Sequence, residues 1–294
     1  TASRTSEQHQ TNIKASQNLE DETLVEESMH IIFVLSLLLQ PAMCFTAYVL
    51  RHGQTDANAN EIEQGSADFS RLTDLGKEQA SNAYQALVDT RVTSIYTSPL
   101  TRARQTLEQL RQADASSSRA GPILPPSDLI LNDLREIDQY DWQGQSYSEL
   151  RRQFPESWRA WEKGIPSEMK VLETATNIVH YPLLEMYERA DRVWNEILDL
   201  EQKQQQELDC DNNKLDRRVL IVAHGNLGQA LLGTAMGWDA SRFNDEGSVF
   251  GNCGMAEIEF LDVDTSPRKI ANHWRWRWPV PSTWRSNSNF LGAG

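Results

Sequence analysis

Two apolar runs in this chain end in histidine followed by glycine: Tyr48-Val49-Leu50-Arg51-His52-Gly53 and Val219-Leu220-Ile221-Val222-Ala223-His224-Gly225. A neutral imidazole can serve as nucleophile or base, and a guanidinium offers a planar fork of donors suited to phosphate. Taken singly, a histidine after a strand is better explained as a hydrogen-bonded rim residue than as an active-site group. The repetition changes that reading, because two such ends on neighbouring parallel strands would set His52 and His224 side by side. Arg51 travels with His52. Arg102 stands just inside a helix opened by Ser98 and Pro99, whose amino end faces the same edge, while Arg104 should point elsewhere because residues two apart do not share a helix face. Glu136 lies in Leu134–Gly144, a stretch without helical phase that reads as a loop rimming the crevice.

Two histidines, two arginines and one carboxylate, without metal-ligand spacing, make an anion site capable of covalent chemistry. Phosphoryl transfer fits best. An imidazole can attack phosphorus while arginines and a helix end neutralise the charge spreading over the equatorial oxygens. The leaving alkoxide then needs a proton, and Glu136 is the carboxylate that the pattern brings to the crevice.

The elements that would position these groups follow from hydrophobic periodicity. Tyr48–Leu50 and Arg218–Ala223 are continuous in apolar residues, as strands buried on both faces should be. Val92–Thr97 and Asp128–Leu131 read as further strands. Helices are expected after Thr73 as N-cap, after Ser98 as N-cap, over Ser146–Lys163 in one or two pieces with Trp158 and Trp161 in the core, over Leu183–Leu200, and over Leu227–Met236. Ala113–Pro126 reads as a surface loop and Glu201–Lys214 as a solvated polar tract. Met255–Leu261 is a strand, and Ile270–Trp278 alternates Trp274, Trp276 and Trp278 with His273, Arg275 and Arg277, as an edge strand with one apolar face does. Strands alternating with helices imply an α/β fold, a three-layer α/β/α sandwich around a mostly parallel central sheet. Ligands of such sheets bind outside the carboxyl ends of the strands, where His52 and His224 would stand.

Composition bounds the partners. The 294 residues suffice for a sizeable core, and 42 acidic against 28 basic residues give a net charge of −14. That charge opposes binding to nucleic acid or an acidic membrane surface, so the Trp/Arg alternation near the end is expected to be structural. Cys44, Cys210 and Cys253 show neither a disulfide framework nor zinc spacing. Residues 1–28 are polar and lack periodicity, and read as disordered or as an extension preceding the true start at Met29. Residues 29–44 contain the apolar run Ile31–Leu39 and a small-x-small site at Ala42-Met43-Cys44, a signal-peptide-like segment too short to be a stable membrane anchor. The domain is then expected over 45–294, ending in the edge strand and a tail. Phe45 just after the cleavage site fits a signal-type presequence directing the protein to a plastid; secretion gives the same pattern, and cytoplasmic residence follows if the run is structural.

Four ordered motifs, Arg51-His52-Gly53-Gln54-Thr55, Ser98–Ala103, Leu134-Arg135-Glu136 with Trp142-Gln143-Gly144, and Val222–Gly225, resemble those of the histidine phosphatase superfamily, the phosphoglycerate mutase-like fold. The resemblance covers roughly residues 46 to 275. It implies that His52 is phosphorylated during turnover, that Glu136 is the proton donor, and that Arg51, Asn58, Arg102, His224 and Gly225 bind the phosphoryl group, with no metal and no other cofactor. Within the superfamily the chain is most similar to 2-carboxy-D-arabinitol-1-phosphatase-like proteins of photosynthetic organisms, through Leu134–Tyr140, His180-Tyr181-Pro182, Gln229–Leu232 with Thr234–Gly237, and Asn252-Cys253-Gly254. A phosphatase acting on a small sugar phosphate is therefore expected, 2-carboxy-D-arabinitol 1-phosphate or a related sugar (bis)phosphate being the implied class. The alternatives are a phosphoglycerate-type mutase and a non-catalytic phosphosugar- or protein-binding module. Direct passage from Glu136 to Trp142-Gln143-Gly144, without an inserted substrate-closing segment, favours hydrolysis over mutase chemistry. Nothing in the pattern fixes an oligomeric state.

Overall fold

The computed structural model describes residues 45–119, 121–208, 217–244, 249–260 and 270–278. The segments 1–28 and 29–44 lie outside the described residues. The chain from residue 45 opens directly into strand β1, Phe45–Arg51, and passes through a one-turn helix, Asp56–Ala59, and a longer one, Asp74–Ala83, to β2, Ser94–Thr97. The helix Thr101–Ala115 leads to a short β3, Leu129–Ile130. Two helices, Tyr147–Gln153 and Pro155–Lys163, precede a small hairpin of β4, Val171–Glu173, and β5, Ile178–His180. The long helix Pro182–Leu208 is followed by β6, Arg217–Ala223, the helix Gly225–Ala235, β7, Met255–Phe260, and β8, His273–Trp278.

The main sheet has the order β3-β2-β6-β1-β7-β8. β3, β2, β6 and β1 run parallel, whereas β7 is antiparallel to β1 and β8 to β7. Each central strand sends alternate residues to opposite faces. Val49, Val219 and Ile221 enter one core with the Pro182–Leu208 and Gly225–Ala235 helices. Tyr48, Leu50, Leu220 and Val222 enter the other with the Asp74–Ala83 and Thr101–Ala115 helices. Period-two alternation between two covered faces yields the expected three layers. Trp158 and Trp161 are core residues, and β8 occupies the edge, where Arg275 and Arg277 bind the buried carboxylate of Glu257 while Trp274 and Trp276 pack on the core.

The local signal holds at Thr73, whose hydroxyl accepts from the Gly76 amide, and the structure adds a capping box between Thr55 and Asn58. The local signal fails at Ser98. The helix begins at Thr101, with Leu100 extended in the N-cap position and no cap from its side chain. Asp68, from a distant loop, accepts from the Thr101 amide at 2.7 Å and from its hydroxyl at 2.8 Å. That tertiary cap frees the Ser98 hydroxyl for another partner. The expected solvated tract Glu201–Lys214 differs where it is described: the long helix runs to Leu208, and Glu201 is fully buried, accepting from the Tyr96 hydroxyl at 2.6 Å and paired with Arg217, while residues 209–214 lie outside the described residues. The polarity of Glu201 marks an internal ion pair, which composition does not distinguish from a solvated face. At the exit of β1 the backbone passes so close to the Asp74–Ala83 helix that a Cβ on Gly76 would collide with the Gln54 carbonyl oxygen.

Candidate active site

The parallel pairing of β1 and β6 sets Arg51 opposite Ala223, so both chains leave the sheet at the same edge. The His52 amide donates to the Ala223 carbonyl at 3.1 Å, continuing the ladder one step beyond the strand. The two imidazoles meet edge to face with centroids 5.3 Å apart, as the repeated strand-histidine-glycine pattern predicts. His52, His224, Arg102 and Glu136 are fully buried and Arg51 is 2% exposed.

One hydrogen bond settles the state of His52. Its Nδ1 lies 2.7 Å from the Gly53 carbonyl oxygen, which can only accept, so Nδ1 carries the proton. Nε2 has no partner and keeps its lone pair. Burial, reinforced by Arg102 and Arg51, holds His52 well below the ordinary histidine range, so the ring is neutral at neutral pH. His224 is lowered in the same way, by burial first and then by Arg102 and His52; its Nε2 shares a 2.7 Å hydrogen bond with the Ser98 hydroxyl and its Nδ1 is unpartnered.

The arginines are fixed by main-chain oxygens. Arg51 Nη1 donates to the Phe250 carbonyl at 2.7 Å, and its guanidinium lies flat against Gly225, where a Cβ would meet Nε at 3.2 Å and Cζ at 3.3 Å. Gly225 is thus present to admit Arg51. Arg102, the second residue of its helix, donates to the Ala67 and Gly65 carbonyls at 2.9 and 2.7 Å. Arg104 is exposed on the other face. Burial lowers Arg102 to about 10 against the opposing pull of Glu136, and lowers Arg51 as well, so both buried guanidinium groups stay charged at neutral pH.

Glu136 sits on the amino end of the Gly225–Ala235 helix. Its Oε1 accepts from the Leu227 and Ile137 amides, both at 2.9 Å, and its Oε2 from the Asn226 amide at 3.0 Å. The helix therefore starts at Gly225, two residues earlier than hydrophobic periodicity suggests, because a distant carboxylate satisfies amides that would otherwise be orphaned. Arg189 from the long helix donates to the Glu136 carbonyl at 2.7 Å and pairs with Asp138, holding the loop in place.

Asn58 is drawn towards this group through its cap: its Oδ1 accepts from the Thr55 amide at 3.1 Å and from Asn252 Nδ2 at 3.3 Å, and Asn252 also reaches the His52 carbonyl at 3.4 Å. The structure thus unites His52, His224, Arg51, Arg102, Glu136 and Gly225, with Asn58 linked to them through Asn252. Motif spacing missed Arg189 and Thr106, whose hydroxyl accepts from the Gly53 amide at 3.1 Å, and it read Ser98 as a helix cap and missed its bond to His224; each acts through a contact distant in sequence. Among the described residues no group of three or more His, Cys, Asp or Glu could hold a metal ion, and no helix is long and apolar enough to cross a membrane.

Residues 47–273 match the model of the histidine phosphatase superfamily, branch 1. The chain belongs to that superfamily. It is 32% identical over 252 residues to the probable 2-carboxy-D-arabinitol-1-phosphatase of Arabidopsis thaliana, an overlap that covers 85% of this chain but 42% of that protein. The chain accordingly spans about two-fifths of the length of this plant relative. It is 30% identical over 240 residues to the glucosyl-3-phosphoglycerate phosphatase of Mycolicibacterium vanbaalenii, covering 79% of this chain and 92% of that one. The native structure of a mycobacterial glucosyl-3-phosphoglycerate phosphatase superposes with a TM-score of 0.59 at 24% identity, over 79% of this chain and 97% of that chain, which establishes the shared fold.

Proposed function

We propose that this histidine phosphatase superfamily member hydrolyses a small sugar phosphate through a phosphohistidine on His52. The observation that carries the proposal is the bare, buried Nε2 of His52, with its lone pair fixed by the Nδ1 bond to Gly53 and two guanidinium groups beside it. Nε2 attacks phosphorus and the bond to the substrate oxygen breaks. Arg51 and Arg102 neutralise the equatorial oxygens, His224 binds them as a neutral imidazole, and Asn58 adds a contact from the side of the β1 exit. Glu136, protonated as the incoming phosphate takes over the Asn226 and Leu227 amides, gives that proton to the leaving oxygen and, as its carboxylate, then takes one from the water that attacks phosphorus while the bond to His52 Nε2 breaks. In surrendering its bonds to the Asn226 and Leu227 amides, Glu136 frees those donors for the phosphoryl oxygens, so binding and protonation are linked.

The likeness to 2-carboxy-D-arabinitol-1-phosphatase and glucosyl-3-phosphoglycerate phosphatase supports a phosphorylated sugar or sugar acid as substrate. A phosphate-release screen over sugar mono- and bisphosphates tests the reading. Release by the wild type and its loss in His52→Ala, with the fold intact by circular dichroism, is expected. Isomerisation of 3-phosphoglycerate without phosphate release would instead identify a mutase.

A further inference from the structure

Glu63, Gln139 and Tyr147 take no part in the chemistry above, yet each is a polar side chain removed from water. Glu63 and Gln139 are fully buried and Tyr147 is 6% exposed. Glu63 Oε2, both polar atoms of the Gln139 amide and the Tyr147 hydroxyl have no hydrogen-bond partner in the protein. Buried polar atoms are almost always paired, so unpaired ones gathered at one place need a reason.

They do lie at one place. The Glu63 amide donates to the Gln145 carbonyl and its carbonyl accepts from the Gly144 amide, while the Tyr147 amide donates to Glu61, so a short ladder ties residues 61–63 to 144–147. Gln139 follows Glu136 in the same loop, and its Cβ lies 3.0 Å from where a side chain on Gly65 would begin. Arg102 binds the Gly65 carbonyl, which fixes the segment carrying Glu63 to an arginine of the phosphoryl site. Arg51 is within electrostatic reach of the Glu63 carboxyl and the Tyr147 phenol, and Glu63 within reach of Glu136 and Arg102, so Glu63 and Tyr147 share the low-dielectric space around the reacting centre with the loop that carries Gln139.

We propose that Glu63, Gln139 and Tyr147 form a hydroxyl-reading subsite that selects a neutral polyol portion of the phosphoester substrate. The inference rests on the phosphoryl site around His52 and names what that site accepts beyond the phosphate. A sugar hydroxyl both donates and accepts, as do a phenol, a carboxamide and a carboxyl group that can carry a proton. Burial raises Glu63 to about 7, despite the Gly65 amide bonded to its Oε1 at 3.0 Å, so near neutral pH it is available in both forms. An aryl group would leave all these atoms unpaired, and a second phosphate would face a carboxylate instead of a cation. The subsite therefore favours polyol monophosphates over aryl phosphates and over bisphosphates.

The test compares kcat/KM for ribose 5-phosphate, p-nitrophenyl phosphate and fructose 1,6-bisphosphate in the wild type and in Glu63→Leu, Gln139→Leu and Tyr147→Phe. The ratio of ribose 5-phosphate to p-nitrophenyl phosphate is expected to fall at least tenfold in the two leucine variants and severalfold in Tyr147→Phe, through KM. Glu63→Gln, which preserves shape, is expected to raise the ratio of bisphosphate to monophosphate and serves if Glu63→Leu does not fold. Ratios within twofold of wild type in every folded variant would overturn the subsite. If the wild type releases no phosphate from any compound, the hydrolytic reading fails on its own. The subsite is then read by calorimetry in a His52→Ala background, where ribose 5-phosphate must lose affinity relative to inorganic phosphate on Glu63→Leu; equal losses contradict it.

Discussion

Replacing Glu63 by glutamine should make the protein more stable at alkaline pH and leave it nearly unchanged at acid pH. Burial lifts this carboxyl from 4.5 to about 7, with Glu136 adding to the rise and Arg102 opposing it. The native state therefore holds a proton that the unfolded chain has already released between those values, and stability falls as pH rises through that window. At about 1.4 kcal/mol per tenfold change in proton affinity, the full cost is about 3 kcal/mol once pH exceeds 7, and less than about 1 kcal/mol at pH 5. Glutamine mimics the neutral form and does not titrate, so the variant escapes this cost. His52 and His224, both lowered, contribute with the opposite sign below about 6.5, but they are common to both proteins and cancel in the difference. Urea unfolding of wild type and Glu63→Gln at pH 5, 6, 7 and 8 supplies that difference directly. A gap that widens by about 2 to 3 kcal/mol from pH 5 to pH 8 is expected; a gap flat across the range would show that Glu63 is ionised in the fold and would refute the electrostatic account of this corner.

Three further outcomes follow from named contacts. Glu201→Ala leaves Arg217 buried without its carboxylate and removes the acceptor of the Tyr96 hydroxyl, so it should cost about 3–5 kcal/mol in urea unfolding, whereas a loss below about 1 kcal/mol would place the pair in solvent. Gly76→Ala drives a methyl group against the Gln54 carbonyl and should lower the thermal midpoint by several degrees or prevent folding; an unchanged midpoint would contradict the close approach of the β1 exit and the Asp74–Ala83 helix. Because burial and the two arginines depress both active-site histidines, their ring resonances should show no titration around pH 6.5 in NMR spectra, and a midpoint there for either would mean that the site is hydrated.

What could be read from residue order was whatever depends on near neighbours in the chain. The apolar runs of β1 and β6, the Thr73 cap and the two histidine-glycine strand ends are local patterns, and they suffice to bring His52 beside His224. Contacts distant in sequence were not legible. Ser98 carries every local mark of a helix cap, but Asp68 performs the capping and Ser98 turns to His224, a residue 126 positions away. Glu136 was read from its loop as a proton donor, and only the fold reveals that it also closes the amino end of the Gly225–Ala235 helix. Glu201 and Glu63 look like surface charge in a chain of net charge −14, since composition records that a carboxylate exists and not what surrounds it.

The central claim, that the unpartnered Nε2 of His52 receives the phosphoryl group, is tested most directly by trapping. The protein is mixed with a radiolabelled phosphorylated substrate taken from the release screen, quenched in alkali within the first turnovers, digested and mapped. One phosphoryl group bound to the peptide carrying His52, stable in base and labile in acid, and absent from His52→Ala, is the predicted result. Steady phosphate release by His52→Ala, or label found on another residue, would contradict the account.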